Sequence, residues 1–241
     1  MTTCLLIRHG QSEANVAGVL AGHLDSALTE HGADQARRVA AALRDVPVRA
    51  IITSPLSRCR ATADAVAAAH ADAGPPQVEE RLAEVRYGAW TGRSLTELGG
   101  EELWKTVQSR PSAVTFPADA QHAHEAMSDM SARAWAAWQD WDASIAQEQG
   151  ERAVWALVSH GDVIKAVLAR ALGLDLDAFQ SIVLDPASVS IIHRQGERTA
   201  VSGLNLREDA YARLAATADT ADTADTDGPH PSVGVVGGGN G

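Results

Sequence analysis

Short apolar runs alternate with helical periodicities along the first 208 residues, and that alternation leaves few architectures open. Runs at 3–7, 50–53, 153–159, 188–193 and 199–204 are short and apolar enough to be buried strands. Between them lie helical stretches. One covers 29–44, with Thr29 as N-cap and Gly32 tolerated inside it. The next opens with Ser54 as N-cap and Pro55 in the first turn and runs to about residue 70. Further helices are expected at 95–107, 123–149 and 162–172, the last ending at Gly173, and Gly196 joins the final two strands. Strands separated by helices predict an α/β fold of three layers, a largely parallel sheet with helices on both faces. Such sheets bind ligands beyond the carboxyl ends of their strands.

The domain is expected to span 1–208. Beyond it comes a near-repeat, Thr217-Ala218-Asp219 through Thr226-Asp227, then Gly228-Pro229-His230-Pro231 and a Gly-rich end. Low apolar content and a short polar repeat predict a disordered tail over 209–241. Five Asp and one Arg give that tail a charge of −4, so the body carries −7 of the chain's −11. The terminal glycines lack the Gly-Lys-Ser/Thr of a nucleotide loop. An acidic balance argues against nucleic acid and anionic membrane surfaces as partners, and no run of 18 apolar residues is present. No positively charged region precedes the first apolar run, which is too short for a signal peptide, so a cytoplasmic location is expected. Cys4 and Cys59, without a Cys-x-x-Cys, read as buried thiols.

The chemistry-bearing residues fall at strand ends. Arg8-His9-Gly10 follows the first strand, Arg58 lies early in the helix after the second, and His160-Gly161 follows the run at 153–159. Neighbouring strands would bring two His and two Arg to one crevice, a set suited to a tetrahedral dianion. Guanidinium groups bind phosphate oxygens in pairs, helix N-termini add N–H donors, and a neutral imidazole can attack phosphorus. Eighteen of the twenty Lys+Arg are Arg, so any anion site here is built from Arg. His122-Ala123-His124 lacks a third ligand at metal-binding spacing and reads as a solvated loop. Trp135, Trp138 and Trp141 share one helical face, which suits a core stripe or a homodimer interface.

Arg8-His9-Gly10-Gln11-Ser12-Glu13-Ala14-Asn15 resembles the Arg-His-Gly-x-Ser/Thr-x-x-Asn signature of the histidine phosphatase superfamily, the phosphoglycerate mutase-like family. The likeness continues through Gly22-His23-Leu24-Asp25-Ser26-Ala27-Leu28-Thr29 and Gly32, Ser54-Pro55-Leu56-Ser57-Arg58-Cys59-Arg60-Ala61-Thr62-Ala63, Glu84 with Gly88-Ala89-Trp90-Thr91-Gly92, and Ser159-His160-Gly161. The stretches 159–170 and 185–192 look most like a bacterial subgroup of probable phosphomutases. The resemblance implies that His9 is a nucleophile that becomes phosphorylated. It implies that Arg8, Arg58 and His160 hold the phosphoryl oxygens, and that Glu84 protonates the leaving oxygen and then activates water. Gly10, Gln11, Ser12, Asn15, Gly22 and Gly161 would line the phosphate and substrate side. The partner implied is a small phosphorylated substrate, with no metal or cofactor, because the arginines supply the positive charge.

Two departures bear on substrate. Many members carry Gly-Gly-Glu-Ser before the long helix, whereas this chain has His124-Glu125-Ala126 in a divergent 116–127 loop. The mutases proper usually show Glu-Arg-x-Tyr-Gly, and here the stretch is Glu84-Val85-Arg86-Tyr87-Gly88. A glycerate mutase also needs extra basic groups for the substrate's second anion, and 92–117 offers only Arg93, Lys105 and Arg110. Metal-independent phosphomonoester hydrolysis is therefore expected. Phosphomutase chemistry at the same site is the alternative, and a non-catalytic phospho-ligand binder is a third.

Overall fold

The computed structural model describes residues 1–207; the expected tail at 209–241 lies outside the described residues. Six strands form one mixed sheet in the order β3-β2-β4-β1-β5-β6: β1 Thr2–Arg8, β2 Val48–Thr53, β3 Gln77–Val78, β4 Val154–Ser159, β5 Val189–Gln195 and β6 Arg198–Leu206. Strands β1 to β4 run parallel to one another, while β5 and β6 form a hairpin whose β5 pairs antiparallel with β1. The helices are α1 Glu13–Ala17, α2 Glu30–Ala42, α3 Ser57–Ala67, α4 Leu95–Leu98, α5 Glu102–Ser109, α6 Met127–Gln149 and α7 Gly161–Ala171. The expected three-layer α/β architecture is present.

Both faces of the sheet are covered, which is why its central strands read as unbroken apolar runs rather than alternating ones. Cys4, Leu6, Ile52, Trp155 and Leu157 meet α6 and α7 on one side. Leu5, Ile7, Ile51, Ala156 and Val158 meet Cys59, Ala63 and Val66 of α3 and Val39 of α2 on the other. The tryptophan stripe belongs to the core: Trp138 is fully buried, Trp135 stacks on it at 4.8 Å, and Trp135 and Trp141 pack against the same cluster. Cys4 and Cys59 are free and buried.

Several local expectations need correction. Helix α3 begins at Ser57, with Leu56 at its cap; the Ser54 hydroxyl bonds His160 Nε2 at 2.7 Å and also accepts the Leu56 N–H at 3.4 Å. The stretch 95–107 divides into α4 and α5 at Gly99-Gly100. Helix α6 starts at Met127 because the preceding residues make bridges, Tyr87 to His124 and Thr115 to Ala126. Two short elements were not foreseen. Strand β3 is two exposed residues, and α1 is a single capping box between Ser12 and Asn15.

Gly32 shows why α2 accepts a poor helix former near its start. A Cβ there would lie 1.9 Å from the Gln11 carbonyl oxygen, and one on Gly10 would lie 2.3 Å from the Gly32 carbonyl. The loop after β1 thus crosses α2 backbone against backbone. Gly→Ala inside a helix ordinarily stabilises by about 0.5–1 kcal/mol. Gly32→Ala is expected to do the reverse, lowering the denaturant midpoint and, by displacing the loop behind His9, turnover as well. Equilibrium unfolding and a rate assay on the one variant check both.

Candidate active site

Sheet register assembles the site. Arg8 pairs with Ser159 across β1 and β4, and Thr53 pairs with Val158 across β2 and β4. The residues that follow, His9, His160 and Ser54, therefore leave adjacent strands at nearly one level. The rings of His9 and His160 meet edge-on with centroids 5.2 Å apart. His160 Nε2 shares a 2.7 Å hydrogen bond with Ser54 Oγ, and the Cys59 thiol packs 3.4 Å from the same nitrogen. Arg58 enters from the first turn of α3. Its guanidinium donates to the carbonyls of Gly22 (2.9 Å) and Leu24 (3.2 Å), so the loop after α1 aims it. Arg8 donates to the Leu184 carbonyl at 2.6 Å. Glu84 completes the group, its Oε2 lying 3.9 Å from His160 Nδ1.

All five of these side chains are buried: Arg8 is 1% exposed, Arg58 2%, His9 4%, Glu84 5% and His160 0%. Charged and titratable groups are seldom buried without a reason, and a cluster of them with displaced pKa values marks a functional site. Burial, then the Arg58 and Arg8 charges, hold the pKa of His9 well below the usual imidazole range. His160 is depressed in the same direction by burial, Arg58 and His9. Burial and the neighbouring arginine thus favour the neutral form of both rings. Glu84 moves the other way: burial and the Asp162 carboxylate push it up to about 7, against the Val85 N–H, Arg58 and Arg8. A carboxyl titrating near neutrality can both give and take a proton.

The tautomer of His9 follows from its partner. Nδ1 lies 2.7 Å from the Gly10 carbonyl oxygen, which can only accept. Nδ1 therefore carries the proton, and Nε2 keeps its lone pair. In this tautomer His9 presents an unprotonated Nε2.

The remaining expected residues serve the frame of the site. The Gly10 N–H goes to Thr62 Oγ1, the Gln11 N–H to Gln35 Oε1 and the Ser12 N–H to Asn15 Oδ1. Their amides are thus spent inside the protein, where they fix the loop behind His9. Asn15 commits its Oδ1 to Ser12, so what it can offer an anion is its amide NH2. Gly22, at φ +52°, turns its carbonyl onto Arg58. Gly161 is the first residue of α7, whose N-terminus opens beside His160 and favours an anion.

Sequence reasoning missed some participants. Ser54 was assigned to a helix cap. Asp162 went unremarked, although it sits two residues after His160. It is fully buried, accepts from the Tyr87 hydroxyl at 2.8 Å and raises the Glu84 pKa. His23 was quoted only as part of a motif, yet its Nε2 lies 2.7 Å from the Glu84 carbonyl oxygen. Among the described residues no group of three His, Cys, Asp or Glu is placed to hold a metal ion.

The chain is similar to known proteins over most of its length. The family model described as histidine phosphatase superfamily (branch 1) matches residues 4–207. A probable phosphoglycerate mutase GpmB of Erwinia tasmaniensis is 31% identical over 205 residues, covering 84% of this chain and 90% of that protein. A putative phosphoserine phosphatase 2 of Hydrogenobacter thermophilus is 30% identical over 209 residues, covering 85% and 96%. Among solved structures, a phosphoserine phosphatase from Entamoeba histolytica shares the fold with a TM-score of 0.72 at 24% identity, covering 86% of this chain and 98% of that one.

Proposed function

We propose, because the chain belongs to the histidine phosphatase superfamily, that it hydrolyses a small phosphomonoester through a phosphohistidine at His9. The observation that carries this reading is the His9 tautomer, with Nδ1–H on the Gly10 carbonyl and a free lone pair at Nε2.

In the first step, Nε2 attacks phosphorus and the bond to the substrate oxygen breaks. That oxygen takes the Glu84 proton as it leaves. In the second, a water gives its proton to the Glu84 carboxylate and attacks the phosphohistidine, releasing inorganic phosphate and restoring neutral His9. Arg8 and Arg58 hold the equatorial oxygens in both steps, His160 adds an imidazole N–H, and the α7 N-terminus adds its dipole. Carbonyls grip the two guanidiniums before substrate arrives, so little reorganisation is needed when charge develops.

The relative named as a probable phosphoglycerate mutase favours a second reading, transfer of the phosphoryl group back to a substrate hydroxyl. Two of the three basic residues in 92–117 count against it. Arg93 is paired with Glu101 at 2.5 Å, and Lys105 with Glu102 at 2.7 Å. Both pairs are solvent-exposed, so they weaken a second anion site without removing it. Water labelled with heavy oxygen separates the readings: label is expected in free phosphate, and an isomerised product with unlabelled, scarce phosphate would establish the mutase. No helix among the described residues is long and apolar enough to cross a membrane. Two buried, unpaired thiols support a cytoplasmic setting.

A further inference from the structure

The segment that carries Glu84 has neither ladder nor helix to hold it. Residues 83–86 follow irregular backbone between the turns Glu80–Leu82 and Gly88–Trp90. Buried carbonyls must nonetheless find donors, and here side chains from elsewhere supply them. Arg133 Nη1 donates to the carbonyls of Arg81 (2.6 Å) and Ala83 (2.8 Å), and its Nη2 donates to that of Glu84 (3.0 Å). Ser159 Oγ donates to the Leu82 carbonyl (2.8 Å), and His23 Nε2 adds a second hydrogen bond to Glu84 (2.7 Å). Four consecutive carbonyls are thus held by three side chains.

The other two N–H groups of Arg133 grip Glu125, Nε to Oε2 at 3.0 Å and Nη2 to Oε1 at 2.6 Å. A guanidinium has five N–H donors in a rigid fork, and this one spends all five. Glu125 Oε1 also accepts the Arg86 N–H at 3.0 Å, while the Glu125 N–H donates to the Arg86 carbonyl at 3.0 Å. The chain is therefore pinned on both sides of Glu84. Arg133 stands on α6, whose buried face packs into the larger core, so the grip has a rigid base. The pair is 16% and 7% exposed, unlike a solvated surface ion pair.

We propose that Arg133, oriented by Glu125, is a positioning residue that holds the Glu84 carboxyl in reach of the leaving oxygen. The inference rests on the role given to Glu84 above. Lysine cannot replace this fork, because an ammonium is a point charge with three rotatable donors.

The test is rapid-quench measurement of His9 phosphorylation by two substrates. Glycerol phosphate has a poor leaving group that needs a proton, and nitrophenyl phosphate has a good one that does not. Arg133→Lys is expected to slow the first by about 10- to 100-fold and the second by less than about 3-fold. Glu125→Gln, which keeps the shape and one acceptor, is expected to show the same split at smaller size, and it serves if Arg133→Lys folds poorly. A merely structural role would slow both substrates equally, and that result, or no loss with either, overturns the proposal. Glu84→Gln is run alongside. Equal losses there overturn the assignment of the acid and this proposal with it. A split in Glu84→Gln with none in Arg133→Lys or Glu125→Gln overturns the positioning role alone.

Discussion

His9→Ala is expected to abolish turnover of every phosphomonoester the wild-type protein accepts, by on the order of 10⁴-fold or more, which is about 5.5 kcal/mol of transition-state stabilisation. No neighbour can take over. His160 keeps Nε2 on Ser54 Oγ, and the Cys59 thiol is pushed up to about 12, chiefly by burial. The anion site should survive the substitution, because Arg8 and Arg58 are held by carbonyls of Leu184, Gly22 and Leu24 rather than by the His9 side chain. Calorimetric binding of inorganic phosphate is therefore expected to persist in His9→Ala and to be lost in Arg58→Ala. An active His9→Ala protein would remove the nucleophile from the mechanism.

Glu84→Gln is the second large effect. The amide fills the same space and cannot donate a carboxyl proton. His9 phosphorylation by an alkyl phosphate should fall by about 10²- to 10³-fold, the usual size of general acid catalysis. With nitrophenyl phosphate that first step should be nearly normal, and phosphoenzyme should accumulate because its hydrolysis has lost the base. The pH dependence carries the sign of each role. Glu84 must be protonated to donate, so phosphorylation by an alkyl phosphate should slow as pH rises through about 7. It must be ionised to activate water, so phosphoenzyme hydrolysis should slow as pH falls through the same region. A bound dianion beside the carboxyl would move both inflections upward. The groups that set this value, after burial itself, are Asp162, the Val85 N–H, Arg58 and Arg8. In Glu84→Gln both inflections should vanish. The downward shift of the His9 pKa favours the neutral ring, which keeps the Nε2 lone pair.

Much of this site is legible in the sequence, because its principal residues stand at strand ends. Arg8-His9 and His160 each follow an apolar run, and the α/β alternation alone sends such residues to a common crevice. Periodicity cannot supply the register. Arg8 opposite Ser159 and Thr53 opposite Val158 are facts of tertiary pairing, and they decide that His9, His160 and Ser54 meet. Ser54 was misread for a physical reason. Ser-Pro is a genuine helix-start signal, and here the hydroxyl has a stronger claim from an imidazole 106 residues away. Strand β3 was invisible because its two residues, Gln77 and Val78, are exposed at the sheet edge and show no apolar run. Arg133 carried no local signal at all. It lies eight residues beyond Glu125, across the start of α6, and its importance comes from carbonyls about fifty residues earlier.

The central claim is that phosphate leaves the substrate on His9. The most direct measurement is intact and peptide mass spectrometry of enzyme mixed with nitrophenyl phosphate and quenched into alkali, where phosphohistidine survives, with Glu84→Gln used to slow its hydrolysis. The predicted result is one added phosphoryl group, located on the peptide that contains His9 and absent from His9→Ala. Sustained phosphate release with no phosphorylated protein at any quench time, or a phosphoryl group found on another residue, would contradict the account.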